Sequence, residues 1–329
     1  MFRKNVIGIG AVTNLNGLTD AKFVCAGREF SFIIDNSGKL RAAYRIYATE
    51  FDVVDVGVKF RSVVSYDHPH GNSVCFVIDE NNDLWNVEKP TFLEKTAFHF
   101  TDVTTKPELQ LKKVGLKATD IASSENNVAC VSPGGILYCW STRTDSNVRD
   151  SRRLDSRGKT PTDSEPTKIQ TPEEMAQVAL GSNHLLTLGI SGTVYSSGKN
   201  DLGQLGRPNA TAFDLSDLAK VKFPRVHTFV QIACLGPHSV ALTASGLVYV
   251  WGQSLTSFVP IYWPTCVDPY FGSVDRIKIQ SISLSGKIYN YHMPHMLALT
   301  QDNKVYAWGK DSLGQCGIRI GFFILRAFL

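Results

Sequence analysis

Apolar positions recur at every second residue over short runs, and the runs come in pairs separated by a turn signal, six times along the chain. The most legible copy is His184-Leu185-Leu186-Thr187-Leu188-Gly189-Ile190-Ser191-Gly192-Thr193-Val194-Tyr195. With His184 as anchor, the equivalent positions are Phe30, Val74, Asn127, His184, His238 and His295, spaced 44, 53, 57, 54 and 57 residues apart. Two residues after each anchor stand Phe32, Phe76, Ala129, Leu186, Val240 and Leu297, and four after stand Ile34, Ile78, Val131, Leu188, Leu242 and Leu299. Period two over so short a run predicts a strand. Eight after the anchor come Gly38, Asn82, Gly135, Gly192, Gly246 and Asn303, the residue types that accept positive φ most cheaply. A hairpin turn is expected there. A second apolar position follows each turn, at Leu40, Leu84, Leu137, Val194, Val248 and Val305, so both strands of the hairpin recur six times.

Further strands are expected ahead of the later hairpins, at Gln177 to Leu180, Val230 to Cys234 and Ile277 to Ile282. Proline precedes a β-branched residue at Pro166 to Ile169, Pro224 to Val226 and Pro264 to Val267, and proline, lacking an N–H, predicts an edge or entry strand. Counted together these give about four strands per repeat. The repeat period and strand count predict an all-β fold, a β-propeller of antiparallel four-stranded blades with six clear repeats. Asn5 to Gly17 resembles the back half of an opening repeat, so six blades or an incomplete seventh are both open. The whole chain, 1–329, is expected to be one propeller, and its 43% hydrophobic content is ample for a core.

Charge and cysteine content narrow the class. A net charge of +4 without a lysine-arginine run gives no expectation of direct nucleic-acid contact. Seven scattered cysteines with no CxxC pair predict reduced thiols in an intracellular protein, in cytoplasm or nucleus. The apolar end from Ile318 is too short to span a bilayer, so no membrane partner is expected. One segment, 141–174, differs in composition from the blades: it carries Arg143, Arg149, Arg152, Arg153 and Arg157 among Ser, Thr, Asp and Pro. Its few apolar residues predict a disordered insertion between blades, and its arginines make it a candidate docking loop for an acidic partner.

Candidate chemistry is sparse. His184, His238 and His295 share one repeat position, where an imidazole bonding backbone beside a turn explains recurrence better than catalysis does. His68-Pro69-His70 offers no third ligand for zinc. Gly192 to Lys199 has the wrong spacing for a phosphate loop, with Asn200 where a hydroxyl is needed. Most of Trp85, Trp140, Trp251, Trp263 and Trp308 fall at packing positions. No catalytic, metal or cofactor residue is nominated, and no cofactor is expected.

Taken with Gly181-Ser182-Asn183-His184, Trp251-Gly252, Trp308-Gly309, Gly203-Gln204-Leu205-Gly206 and Gly314-Gln315-Cys316-Gly317, the columns resemble the repeats of the regulator of chromosome condensation, or RCC1-like, family. The likeness is to its shorter, degenerate members. It implies a propeller closed by pairing the two chain ends within one blade. It also implies a non-catalytic, monomeric interaction platform for protein partners, including chromatin-associated ones. The alternative it implies is guanine-nucleotide exchange on a Ran-like or Rab-like small GTPase. The copy at His238 departs from the pattern: Gln253-Ser254 leads into a different loop where Gly-Gln-Leu-Gly is absent, and partner contacts are expected where copies disagree.

Overall fold

The six anchors are the first residues of six strands. In the computed structural model each opens the second strand of a four-stranded antiparallel sheet. The structure describes residues 21–26, 30–44, 52–54, 57–66, 74–88, 110–124, 127–141, 165–207, 218–255, 259–267, 277–285, 294–309 and 326–328. The first blade holds β1 (Ala21–Ala26), β2 (Phe30–Asp35), β3 (Leu40–Tyr44) and β4 (Asp52–Val54), and the second β5 (Phe60–Tyr66), β6 (Val74–Asp79), β7 (Asp83–Glu88) and β8 (Gln110–Lys117). The third holds β9 (Asp120–Ser123), β10 (Asn127–Val131), β11 (Leu137–Ser141) and β12 (Thr167–Ile169). The fourth holds β13 (Met175–Leu180), β14 (His184–Gly189), β15 (Val194–Gly198) and β16 (Ala219–Lys220). The fifth holds β17 (Phe229–Leu235), β18 (His238–Thr243), β19 (Val248–Gln253) and β20 (Pro260–Cys266), and the sixth β21 (Ile279–Ser285), β22 (His295–Thr300), β23 (Val305–Gly309) and β24 (Arg326–Phe328).

Within each sheet the strands lie in chain order, which is the meander of a propeller blade, and the fold is an all-β propeller of six blades. The sixth sheet takes its outer strand from the apolar tail, as β24 pairs with β23. Among the described residues no sheet pairs the two chain ends, contrary to the closure implied by the family resemblance. The chain divides into two compact units, Gly10–Ala118 with the first two blades and Met1–Ile9 plus Thr119–Leu329 with the other four.

Inside each unit the core lies between successive blades. Leu186 and Leu188, even-numbered from their anchor, pack with Phe229, Ile232 and Ala241 of the next blade, while the odd-numbered Leu185 packs with Val131 and Leu137 of the preceding one. Blades five and six, and one and two, repeat the arrangement through Val240, Leu242, Ile282 and Ala298, and through Phe32, Ile34, Phe60 and Val77. Because both faces are covered, β14 and β18 are buried at every position. That double burial explains why apolar residues fill both faces of these strands.

The turns obey the sequence pattern. Gly38, Gly135, Gly192 and Gly246 have φ of 85°, 70°, 79° and 86°, and the only non-glycine residues with positive φ among those described are Asn82 (66°) and Asn303 (63°). A second column, five residues after the anchor, closes these turns. Carboxylate or hydroxyl oxygens of Asp35, Asp79, Ser132, Thr243 and Thr300 accept the amide N–H four residues on, at 2.8 to 3.2 Å. In the remaining copy the position is Gly189, and Glu173 supplies the oxygen from outside the hairpin, accepting from the Ser191 amide and hydroxyl and from the Tyr195 hydroxyl. A Cβ at residue 189 would stand 2.3 Å from that carboxylate, so the glycine makes its room.

Side chains also bind one blade to the next. The Asp120 carboxylate accepts from the Val178 amide. The Gln177 amide group accepts from Ile232 N–H and donates to the Val230 carbonyl, and Gln231 does the same to Ile282 at both N–H (3.0 Å) and C=O (2.8 Å). The structure decides one expectation and corrects another. Pro166 leads into β12 and Pro264 lies in β20, the outermost strands of the preceding blades, so of the two alternatives these prolines mark edge strands, which finish a blade. Residues 224–226 form no strand, because the outer position in the fourth blade is filled by β16.

Candidate functional site

The first place to look for chemistry is the His184–Ser239 pair, whose Nε2 and Oγ are 2.8 Å apart. Such a distance fits a nucleophile and its base. The Ser239 hydroxyl, however, donates its only proton to the Gln204 carbonyl at 2.8 Å, so His184 must be the donor through Nε2–H. That is the reverse of general-base geometry. Burial first, and the neighbouring His238 second, push the His184 imidazole down to about 3, and Ser239 is fully buried. His238 donates through Nδ1 to the Gln253 carbonyl. His184 therefore fastens blade four to blade five and His238 fastens two strands within blade five, while the Trp251 indole N–H donates to the same Gln204 carbonyl at 2.9 Å.

The Gly203-Gln204-Leu205-Gly206 element has a structural role that leads outward to the surface. Its turn is held by Asn200, which accepts from the Leu205 amide, and by Gln204, which accepts from the Leu202 amide. A Cβ on Gly203 would lie 2.6 Å from the Tyr262 Cα, and one on Gly206 would meet Val221, the Trp251 indole nitrogen and Pro264 at 2.8 to 3.1 Å. The element thus brings a fourth-blade loop against the outer strand of blade five. There β20 is irregular. Val250 pairs with Thr265 and Gly252 with Ile261, so Tyr262, Trp263 and Pro264 together face the single residue Trp251. A bulge of this kind turns side chains away from the sheet. Tyr262 and Trp263 are accordingly 48% and 54% exposed.

Beside the bulge is a groove of about 260 Å³ lined by Lys222, Phe223, Pro224, Trp263 and Pro264. Its inner wall is rigid. The Phe223 ring packs against Phe229 (4.1 Å between centroids), Tyr249 (5.3 Å) and Trp251 (5.6 Å, perpendicular). Val226 and Val259 are also exposed nearby in sequence. Exposed Tyr262, Trp263 and Pro224 beside half-buried Phe223, with the exposed Lys222 at the margin, have the composition of a protein-contact surface.

The sequence-predicted docking residues Arg143, Arg149, Arg152, Arg153 and Arg157 lie outside the described residues, as does His68-Pro69-His70. Of the polar segment 141–174, Ser141 closes β11, Thr167–Ile169 form β12 and Glu173 serves the fourth-blade turn. Among the tryptophans, Trp140, Trp251 and Trp308 are buried, and Trp85 donates to the Asp79 carboxylate. Trp263 breaks the pattern, and aromatic content alone did not reveal it. The signal available was Pro260 and Pro264 framing Tyr262-Trp263 in the copy that departs from the repeat. Lys199, ending the stretch that resembles a phosphate loop, is paired with Asp201. Among the described residues no group of three or more His, Cys, Asp or Glu is placed to hold a metal ion, and no helix is long and apolar enough to cross a membrane. Cys25, Cys75, Cys130 and Cys139 are buried, and burial is the chief cause that pushes the thiols of the last two up to about 12.

Comparison with known proteins follows the same lines. Two models of the regulator of chromosome condensation (RCC1) repeat match residues 191–242 and 295–315. Protein pim1 of Schizosaccharomyces pombe is 29% identical over 62% of this chain and 36% of its own length. The ultraviolet-B receptor UVR8 of Arabidopsis thaliana is 28% identical over 62% and 44%, and the human regulator of chromosome condensation 30% over 46% and 35%. The chain therefore spans less than half the length of these relatives. Among solved structures, human WBSCR16 superposes with a TM-score of 0.68 at 17% identity, over 92% of this chain and 80% of that one. Prp20p from Saccharomyces cerevisiae, described with its binding properties to Gsp1p and histones, gives 0.65 at 15% identity, over 93% and 76%.

Proposed function

We propose that this chain, whose residues 191–242 and 295–315 match models of the RCC1 repeat, is a non-catalytic interaction platform inside the cell. Its rigid blades would present loop and edge surfaces to protein partners, chromatin-associated ones among them. One observation carries the reading: the bulged outer strand of blade five turns Tyr262 and Trp263 to solvent beside a preformed groove. Cores normally absorb such rings, and an exposed tryptophan on a rigid wall is the type of residue that dominates contact energies. The buried thiols and the neutral, buried histidines support a structural use of these groups. The arginine-rich segment would add a second contact for an acidic partner.

Guanine-nucleotide exchange on a small GTPase is the competing reading, drawn from the family resemblance. The two separate in a release assay with fluorescent GDP on Ran-like and Rab-like GTPases, run beside cross-linking capture of partners by the wild type and by Trp263→Ala. The platform reading expects GDP release to stay near its spontaneous rate and capture to depend on Trp263. Release accelerated about a hundredfold by catalytic amounts, roughly 2.7 kcal/mol off the barrier, would replace it with exchange.

A further inference from the structure

We infer that the groove between residues 222–224 and the bulge of β20 receives an extended, proline-containing peptide with acidic flanking residues, held in a polyproline II conformation. The inference rests on the platform reading and names the ligand class for that surface.

Three observations converge on it. First, the lining consists of the Phe223 and Trp263 rings and the Pro224 and Pro264 rings, with Phe223 fixed by Phe229, Tyr249 and Trp251. Flat, rigid apolar walls suit a ligand whose own prolines are already ordered, because little conformational entropy is lost on docking. Second, the backbone of β20 is poorly suited to the other common mode, addition of a ligand strand. Pro260 and Pro264 have no N–H to offer, and the ladder is broken between Val250 and Gly252. A polyproline helix asks for no ladder hydrogen bonds.

Third, the margin is cationic. Lys222 lines the groove and Arg225 follows Pro224, and neither takes part in an ion pair among the described residues. Across 199–207, 218–228 and 259–267 the only acidic residue is Asp201, which is already bound by Lys199 at 2.5 Å. Acidic flanks complement that field, and opposite charges speed encounter as well as selecting partners. The chain's own stretch 143–159 carries six basic and three acidic residues, the same sign as the rim, and is not a matching occupant.

Titration calorimetry on the full chain with short synthetic peptides tests the idea. One peptide has prolines flanked by glutamates, a second replaces each glutamate by lysine, and a third replaces each proline by alanine. The glutamate-proline peptide should bind about tenfold or more tightly than either control, and Trp263→Ala should weaken it by a similar factor. Lys222→Glu should weaken the acidic peptide and favour the lysine one. Trp263 is half exposed, so its alanine variant should melt like the wild type, and Tyr262→Ala provides a second probe of the bulge. Equal binding by the alanine-substituted peptide, or binding indifferent to both ring removals, would overturn the inference. If no peptide binds while a cross-linked partner is still lost in Trp263→Ala, the ligand class is wrong and the platform stands. If neither peptide nor partner depends on Trp263, both fail.

Discussion

His184 and His238 are the residues through which mild acid acts on this fold. Each has an ordinary value of 6.5; burial pushes the first down to about 3, aided by His238, and the second to about 4 against the bond to Gln253. Between those values and 6.5 the unfolded chain binds more protons than the folded one, so stability falls as pH falls. The contribution is full above about pH 6.5 and declines by about 1.4 kcal/mol per pH unit for each imidazole. Asp35 and Glu173 act in the same direction only in the carboxylate range. Burial works to raise both, but for Asp35 the bonds from Ser37, Lys39 and Arg41 outweigh it, and for Glu173 those from Ser191 and Tyr195 do. Chemical denaturation at pH 7.5 and pH 5 should therefore show a clear loss of stability, smaller in His238→Gln, whose side chain does not titrate. An unchanged midpoint would mean that the imidazoles reach water in the folded state.

Among the elements, the hairpins were legible and their surroundings were less so. The anchor, apolar and turn columns located β2, β6, β10, β14, β18 and β22 because hairpins are local: alternation and a positive-φ residue specify them within a dozen positions. The allegiance of outer strands is decided by pairing with a distant partner, which is why Pro166 and Pro264 left edge and entry strands both open until the pairing placed them at the finishing edge of a blade. The oxygen column at Asp35, Asp79, Ser132, Thr243 and Thr300 escaped notice because it varies in residue type while keeping one acceptor in place. The inter-blade amide clamps were hidden for a related reason, since nothing local marks Gln177 or Gln231. Gln231→Ala should cost about 2 kcal/mol or more, because it leaves the N–H and C=O of Ile282 buried without partners. Gln177→Ala should cost less, as its bond to Val230 is exposed and water can replace it. Paired urea melts of the two variants measure the difference.

Across the whole molecule, burial predicts a gradient of local stability. In β14 and β18 every residue is buried between neighbouring blades, whereas β12 and β16 are edge strands of three and two residues. Hydrogen exchange should be slowest in the first pair and fastest in the second, with mass spectrometry of peptides spanning each strand as the measure. A reversed order would contradict the placement of the cores. The candidate surface was only half legible at this scale: the sequence marked the copy at His238 as divergent, but the bulge exists only through pairing with β19. The prolines of β20 have one more consequence. Seven residues of outer strand carrying a tyrosine and a tryptophan in water are the makings of a template on which copies of the chain could stack edge to edge into fibres. With donors deleted at Pro260 and Pro264, and the strand buckled between them, the surface can stay adhesive to a partner while being a poor seed for its own polymerisation.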